Sequence, residues 1–526
     1  MRMGMMKRVF LLIALTVSAC LVFASGNKET QKDAGGKDEL IVAVQDFPQA
    51  AISAMAENSN VALRIDFSIE ENLIKTDYYD GFKLKPGLAE SWELKDDTTL
   101  VFNLRKGVKF HNGEEMTAED VAFTFGPERL TGEDAPAKEM AGPFLYNIEK
   151  VTALDKYTVE VKSKSPDALF ITRFANFPSQ IISKKAYQAA GSWEEFGKMP
   201  VGTGPYKIVE YADDVRIVLE RFEDYWGGTK GAVKRIEFKK VPELSTRIAG
   251  LRSGEFDIIT EVPPDQAMAI DGMPGVSVEG GPIRNIYGLF FIETTNPTML
   301  NGKVRKALTL AIDRKKLVES LFSNLTTIPD NWQMKLFGDM YIEGYEGIKY
   351  DPLEAKALLA EAGYNGEKIV YRSLPGYYTL EQTVAEAITQ MWKDVGLNID
   401  LQIKENWSQI TEINDELNII NGSFTAYYPD PVGQFWRRFG TNSGYAKGVF
   451  WTNSDEFNKL GNVLDVSYDL RERRNALAKM MDIFADDPKG TYLYNLPMIY
   501  GVSDSIEWSS LPVEGMDFTT NALKIK

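Results

Sequence analysis

The sequence contains very little cysteine and histidine. Among its 526 residues there is one cysteine, Cys20, and one histidine, His111. A single cysteine excludes an internal disulfide, and a single histidine excludes a metal centre built on two or more imidazoles. Catalysis by a Ser-His or Cys-His pair would depend on His111 alone. We therefore predict no metal site, no cofactor and no catalytic residues.

Basic residues are also fewer than acidic ones. Fifty-nine Lys and Arg residues face 75 Asp and Glu, which gives a formal charge of −16. Because nonspecific affinity for nucleic acid comes from neutralising phosphates with Lys and Arg, this balance disfavours DNA or RNA as a partner. At about 150 residues per domain, the chain is long enough for two to four domain-sized units.

The N-terminus predicts export. Three basic residues, Arg2, Lys7 and Arg8, precede the apolar run Val9 to Ala19, as in a signal peptide. Residues 1–24 would be removed by an ordinary signal peptidase, or residues 1–19 if Val17 to Cys20 is a lipobox and Cys20 is lipidated. Both cleavages stay open, and either one lowers the formal charge to −19.

The remaining chain predicts a protein outside the cytoplasm. Residues 25–37 are polar and glycine-rich, which is typical of a flexible tether. No later segment approaches about 20 consecutive apolar residues. We expect a periplasmic or extracytoplasmic protein that reaches the membrane only through a possible lipid anchor.

Two regions have the pattern of a strand, a helix and a second strand. Such units predict parallel strands joined by a helical crossover, and two of them some 130 residues apart indicate an α/β protein with two lobes. A ligand site would favour the cleft between them. A capping signature from Thr117 to Asp120 predicts a further helix start. The first unit covers Ile236–Val241, Glu243–Arg252 and Phe256–Ile259, with Gly254 ending the helix, and the second covers Lys368–Leu374, Leu380–Val395 and Asn398–Lys404.

Several stretches closely resemble the family 5 extracellular solute-binding proteins, the oligopeptide and dipeptide receptors of ABC importers. The longest runs from Gly87 to Phe125, GLAESWELKDDTTLVFNLRKGVKFHNGEEMTAEDVAFTF. Order and spacing agree from about residue 38 to the C-terminus. The other stretches are PVGTGPYKIVEYADDVRIVLERFEDYWGG from Pro200, SGEFDI from Ser253, NGKVRKALTLAID from Asn301 and DPLEAKALLAEAGY from Asp351.

The resemblance implies an α/β fold, a two-lobed periplasmic-binding-protein clamshell with an extra inserted subdomain in lobe I. The chain would cross the hinge near Ile283–Tyr287 and Tyr492–Pro497. The role implied is that of a monomeric, non-enzymatic receptor that holds a small polar solute and delivers it to a permease with its ATPases. Lobe I would comprise 38–66, 200–282 and 490–526, the inserted subdomain 67–199, and lobe II 283–489.

One departure from the family bears on the solute. Where the peptide-binding members carry an acid that pairs with the ligand's α-ammonium, this chain has Tyr427 in the stretch AYYPDP. A phenol cannot supply that charge, and Asp430 restores nothing by itself. A peptide stays the family default, with an oligosaccharide close behind because aromatic rings suit sugar faces. Tyr427 and Tyr428 could also simply pack.

Some of the predicted solute contacts therefore come from this stretch. The others are chosen because of where the resemblance places them relative to the strands, the hinge and the loops. Asp46 follows the first strand, Asn285 and Tyr287 lie at a hinge crossing, and Trp332 and Trp407 lie in loops of lobe II. His111, the Gly202–Tyr206 turn and the Asp224–Gly228 stretch are interpreted as structural. The nine predicted contacts are Tyr427, Tyr428, Asp430, Trp436, Trp407, Trp332, Asn285, Tyr287 and Asp46.

Two other function classes stay open. An exported hydrolase could use Asp430 with Glu405 as a general acid and base. A chemoreceptor relay protein without its own permease would have the same binding residues.

Overall fold

The computed structural model describes residues 37–49, 51–57, 59–443, 445 and 450–526. The predicted signal peptide, Cys20 and almost all of the predicted tether lie outside the described residues. The described chain contains eighteen strands and sixteen α-helices.

The strands are short except for two. In chain order they are β1 (Glu39–Val44), β2 (Ile74–Asp77), β3 (Lys83–Pro86), β4 (Ala89–Asp96), β5 (Thr99–Leu104), β6 (Ile148–Ala153), β7 (Thr158–Ser163), β8 (Tyr206–Ala212), β9 (Arg216–Arg221), β10 (Arg235–Lys240), β11 (Ile258–Ile259), β12 (Val276–Phe291), β13 (Lys368–Ser373), β14 (Asn398–Ile403), β15 (Ile419–Thr425), β16 (Gly490–Ser503), β17 (Ile506–Trp508) and β18 (Leu523–Ile525).

The helices follow capping and periodicity signals in the sequence. They are α1 (Asn60–Asp66), α2 (Ala118–Thr124), α3 (Lys138–Leu145), α4 (Lys184–Ala190), α5 (Trp193–Lys198), α6 (Leu244–Ser253), α7 (Pro264–Asp271), α8 (Pro297–Leu300), α9 (Gly302–Leu310), α10 (Arg314–Leu321), α11 (Pro352–Glu361), α12 (Glu381–Asp394), α13 (Trp407–Ile410), α14 (Phe435–Phe439), α15 (Asp455–Val466) and α16 (Leu470–Asp486).

Ten of these strands form one mixed sheet, in the order β14-β13-β15-β12-β16-β11-β1-β10-β9-β8. The long strands β12 and β16 are antiparallel neighbours in its middle. Their register shifts between Pro282 and Ile286. Before the shift β16 also pairs with β11, and after it β12 also pairs with β15. The sheet thus has a first half, β11-β1-β10-β9-β8, and a second half, β15-β13-β14, joined through β12 and β16.

Both predicted crossings of the hinge fall at this register shift. Asn285 to Phe291 pairs with β15, and Gly490 to Asn495 pairs with the same part of β12. A second, four-stranded sheet, β4-β5-β7-β6, lies within residues 67–199. The exact limits of the two lobes and of the inserted subdomain stay predictions.

The two predicted βαβ units differ in one respect. β13 and β14 pair directly in parallel, with α12 between them in the chain, as predicted. In the first unit, by contrast, β10 and β11 each pair in parallel with β1, so β1 lies between them. The predicted parallel strands joined by a helical crossover are therefore present, with the N-terminal strand in the middle position between them. α6 ends at Gly254, whose φ of 77° is the left-handed conformation that glycine adopts readily.

Local signals place the helix starts. The Thr117 and Asp120 side chains form the predicted capping box at the start of α2. The Ser59 side chain accepts a hydrogen bond from the backbone N–H of Ala62 at the start of α1. None of the described helices is both long enough and apolar enough to cross a bilayer.

Candidate functional site

A cavity of about 870 Å³ lies beside the register shift of β12. Its wall is formed mainly by parts of residues 63–86, 175–180, 225–229 and 513–521, together with Arg284 and Tyr427. Arg284 is at the register shift itself, and Tyr427 follows the end of β15. The volume is within the range of about 300–1,000 Å³ found for small-molecule sites. We call it the central cavity.

One part of the wall is organised around Glu71. The Tyr225 hydroxyl and the Trp226 indole N–H donate to its two carboxylate oxygens, at 2.8 and 2.7 Å. Thr203 Oγ1 donates to the same carboxylate at 3.0 Å, and Lys75 Nζ lies 2.7 Å away. Tyr225 to Gly228 line the cavity. The bonds of Tyr225 and Trp226 to Glu71 agree with the structural role predicted for this stretch, which stays a prediction.

A pair of acids, Asp66 and Glu70, occupies the wall where α1 ends. A side-chain hydrogen bond joins them, and Ser53 Oγ donates to Glu70 at 3.0 Å. Burial, followed by the charge of Glu70, raises the pKa of Asp66 well above its ordinary value. Burial also raises the pKa of Glu70, although hydrogen bonds and the charge of Arg129 oppose it. The pair thus retains protons at a pH where exposed carboxyls have lost theirs.

Glu514 brings a second kind of carboxylate to the cavity. It is buried, and its Oε1 accepts hydrogen bonds from Asn285 Nδ2 and Thr425 Oγ1, both at 3.3 Å. No Lys or Arg in the described part of the chain lies within ion-pair distance of it. The residue before Asn285 is Arg284, whose guanidinium borders the same cavity and also has no carboxylate within 4.0 Å among the described residues. Buried charges of both signs therefore face this cavity without ionic partners.

Tyr427 is the one of the nine predicted contacts that lines the central cavity of the described chain. It is 4% exposed, and its ring packs on Phe144 and Phe177 with centroid distances of 4.8 and 5.2 Å. The Arg437 guanidinium lies 4.7 Å above the same ring. Tyr427 therefore both packs against Phe144 and Phe177 and borders the cavity.

The structure gives four other predicted contacts interior roles. Asp430 pairs with Arg473 at 2.8 and 2.9 Å and accepts from the Val432 N–H, so its carboxylate is used internally. Trp332 is enclosed by aromatic rings, the nearest being Phe424 at 4.6 Å. Trp436 and Tyr428 belong to the same buried cluster as Trp332. These four side chains are not brought to the central cavity.

The remaining four predicted contacts are scattered. Tyr287 is fully buried and packs on Tyr378 and Tyr494, at 5.0 and 5.2 Å. Asp46 is on the surface and pairs with Lys240 at 2.7 Å. Asn285 contributes indirectly, by holding Glu514. Trp407 starts α13, and its role as a contact stays a prediction, as do those of the other residues.

Tyr377, which is not among the nine predicted contacts, lies near Trp407 at a ring distance of 5.4 Å and is 44% exposed. It does not line the central cavity of the described chain. Among the charged residues of the cavity that sequence reasoning missed are Arg284 and Glu514, because neither belongs to a recognisable motif.

His111 has the structural role that the sequence predicts. Its Nε2 lies 3.1 Å from the carbonyl oxygen of Gly204, and its ring contacts Phe222 edge to face at 5.1 Å. Burial lowers the pKa of His111 to about 4. The imidazole is thus neutral near pH 7 and ties the motif around it to the Gly202–Tyr206 turn.

The profile of the bacterial extracellular solute-binding proteins, family 5 Middle, matches residues 83–446. The chain belongs to this family. It is 29% identical over 355 residues to the dipeptide-binding protein of Escherichia coli (strain K12), an alignment that covers 62% of this chain and 64% of that protein. It is 30% identical over 352 residues to di/tripeptide-binding protein 1 of Pseudomonas aeruginosa (strain UCBPP-PA14), covering 62% and 65%.

The alignments thus span less than two thirds of the length of these family 5 relatives. Among solved structures, the dipeptide-binding protein of Pseudoalteromonas sp. SM9913 in complex with Met-Leu superposes with a TM-score of 0.81 at 23% identity, covering 93% of this chain and all of that one. This likeness confirms the α/β fold of a periplasmic binding protein. Proteins of the family are extracellular and bind solutes.

Proposed function

We propose that this protein is the extracytoplasmic receptor of an ABC importer, which captures a peptide-like solute in the central cavity and delivers it to a membrane permease. One observation supports it most: a cavity of small-molecule size lies where the two halves of the sheet join, and its wall holds a buried guanidinium and a buried carboxylate that have no ionic partners in the described chain. A peptide main chain carries the two complementary charges. Closure of the halves around it would present one shape to the permease.

An oligosaccharide is the second candidate. Tyr78, Tyr225, Trp226 and Tyr427 all border the cavity, and flat aromatic faces suit sugar rings. A neutral sugar, however, would leave Arg284 and Glu514 without ionic partners. The buried charges therefore favour the peptide.

The chemistry proposed is binding without turnover. Asp430 is held by Arg473, and Glu405 is exposed in the loop after β14, so the two do not form an acid and base pair in the cavity. Permease and ATPase partners, a monomeric state and a lipid anchor at Cys20 belong to the same proposal.

Thermal-shift screening of the exported protein tests the choice of solute. Pools of short peptides and of oligosaccharides are compared at matched concentrations. A solute present at 100 times its Kd should raise the free energy of unfolding by about 2.7 kcal/mol. Stabilisation by peptide pools supports the proposal, and stabilisation by sugars alone replaces it with the second candidate. Peptides recovered from the complex should be unaltered by mass spectrometry, since cleavage would indicate an enzyme.

A further inference from the structure

We infer that Arg284 is the group in the central cavity that binds a carboxylate of the solute. This inference rests on the proposed function and deepens it, because it says which end of the solute lies at the junction of the two halves of the sheet. In the peptide-binding members that this chain resembles, an acid at the position of Tyr427 pairs with the ammonium of the ligand. In this chain, a guanidinium beside Tyr427 would recognise the opposite charge.

The first support is the burial of a charge without an ionic partner. Arg284 is 6% exposed. Within the described chain its Nη1 donates only to Tyr427 O at 3.2 Å and to Asn176 Oδ1 at 3.4 Å, and its buried Nε has no acceptor. Removing a cation from water costs several kcal/mol unless an anion and good hydrogen bonds compensate it. Two long bonds to neutral oxygens leave most of that cost unmet.

Other buried arginines meet that cost in different ways. Arg173 pairs with Asp167 at 2.6 Å, and Arg473 pairs with Asp430. Arg314 has no carboxylate partner in the described chain, and it bonds instead to backbone carbonyls and to Thr491 Oγ1 at 2.6 Å. Arg129 also lacks a carboxylate partner among the described residues, and its guanidinium lies 3.9 Å from the ring of Trp193. None of these four borders the central cavity, whereas Arg284 does, so a solute can supply its missing acceptor.

The second support is that Arg284 is held in place by both sides of the junction. Its backbone N–H donates to Pro512 O at 3.0 Å, and its carbonyl accepts from the N–H of Ala426 at 2.8 Å. The ring of Tyr78, which also borders the cavity, lies 5.4 Å from the guanidinium carbon. A planar guanidinium positioned in this way suits the two oxygens of a carboxylate.

The charge of the wall selects the kind of anion. Six acids and three bases of the described chain border the cavity, and two of the acids, Asp66 and Glu70, retain protons. The four other carboxylates still outnumber the three bases, so a phosphate with two negative charges would meet more repulsion than one carboxylate on a solute that also carries an ammonium. The acids are Asp66, Glu70, Glu71, Asp77, Glu514 and Asp517, and the bases are Lys75, Lys85 and Arg284.

The test uses two tripeptide libraries that differ only in their C-terminus, a free carboxylate in one and an amide in the other. Binding is measured on the exported protein by calorimetry and thermal shift. We expect the free acids to bind at least tenfold more tightly than the amides, and Arg284→Gln to abolish that preference. Arg284→Lys should retain part of it. Arg252→Gln, an exposed arginine without a carboxylate partner in the described chain, is the matched control and should behave like the wild type.

The outcomes separate the inference from the proposed function. Equal binding of acids and amides by the wild type overturns the role of Arg284 but leaves a peptide receptor. Binding of neither library overturns both. The comparison of acids with amides is made on the wild type, so it tests the inference even if a variant fails to fold. If Arg284→Gln folds, as judged by its circular dichroism melt, and still prefers acids, the assignment is wrong.

Discussion

Two concave regions of the described chain differ in how their polar groups are satisfied. The central cavity contains buried charges whose ionic partners are missing from the described chain. A second concavity, of about 420 Å³, is lined mainly by the chain between α10 and α11. Its buried arginine, Arg314, has no carboxylate partner in the described chain, but it donates to Tyr492 O at 2.8 Å and to Thr491 Oγ1 at 2.6 Å. There the Tyr341 hydroxyl donates to Asp330 at 2.6 Å, and Lys349 pairs with Glu346 at 2.7 Å.

This difference indicates that the central cavity, and not the second concavity, binds a ligand. Hydrogen bonds within the described chain already satisfy the buried groups of the second concavity, including the guanidinium of Arg314, so these groups need no further partner. In the central cavity, burial without pairing costs stability in the empty protein, and a solute with complementary charges would recover that cost. Substitutions in or near the central cavity should therefore differ in effect from matched ones in the second concavity or on the surface.

The largest effect is expected from Asp430→Asn. Because Arg473 would remain buried without its ionic partner, the free energy of unfolding should fall by roughly 3–5 kcal/mol. Urea denaturation of the solute-free protein measures it. Asp330→Asn, at an exposed acid of the second concavity, is the control and should change stability by less than about 0.5 kcal/mol. A small effect would show that the ion pair of Asp430 with Arg473 is not needed for stability, and Asp430 would again be a candidate solute contact.

Tyr427→Ala should destabilise the protein by roughly 3 kcal/mol, because it removes a buried ring that packs on Phe144 and Phe177. This loss is expected whether or not Tyr427 also contacts the solute, because the ring is buried in the solute-free protein. Tyr350→Ala, at a ring that is 47% exposed in the second concavity, is the matched control. Equal melting temperatures for the two variants would contradict the packing role.

How much of this could be predicted from sequence depends on the distance between the interacting residues. α12 and its flanking strands were predictable, because each is a continuous periodic segment. The α2 capping box was predictable because Thr117 and Asp120 are three residues apart. In the first unit, β1 lies between β10 and β11 although it comes from about 190 residues earlier, and no local pattern shows that.

The site was less predictable for the same reason. Its wall combines segments from residues 63 to 521, and a charge is identified as unpaired only when all of its neighbours are known. Asp430 and Arg473 are 43 residues apart, so the sequence could not show that this acid is used internally. Glu514 lies in the loop between β17 and β18 and has no motif of its own.

The acid pair of the central cavity should make stability depend on pH. The folded protein holds protons on Asp66 and Glu70 more tightly than the unfolded chain, whose values are near 3.8 and 4.5. Stability from this pair is therefore greatest at low pH and falls as pH rises above about 4, by at most ~1.4 kcal/mol per pH unit for each proton released. Asp66→Asn should reduce that decline in urea unfolding measured from pH 4 to 8.

His111 acts in the opposite direction over part of that range, since its pKa falls from 6.5 to about 4 on folding. The unfolded chain binds the proton between these values, so this contribution rises with pH from about 4 to 6.5. His111→Asn should remove the rise, and each variant is read as a difference from the wild type. An Asp66→Asn curve parallel to that of the wild type would show that the acids are not coupled to folding.

The smallest effect on stability, and a specific effect on binding, is expected from Glu514→Gln. The amide keeps the shape of the side chain and its bonds from Asn285 and Thr425, so the solute-free melt should stay within about 0.5 kcal/mol of the wild type or rise slightly, because a buried charge is removed. If Glu514 pairs with the ammonium of the solute, affinity for free tripeptides should fall about tenfold or more, since a hydrogen bond to a charged group contributes roughly 1.5–3 kcal/mol.

N-acetylated tripeptides, which lack the ammonium, should bind the wild type and the Glu514→Gln variant equally. Glu507→Gln, a surface acid in β17, is the matched control, and a loss of affinity shared by both variants would assign the effect to overall charge rather than to this carboxylate.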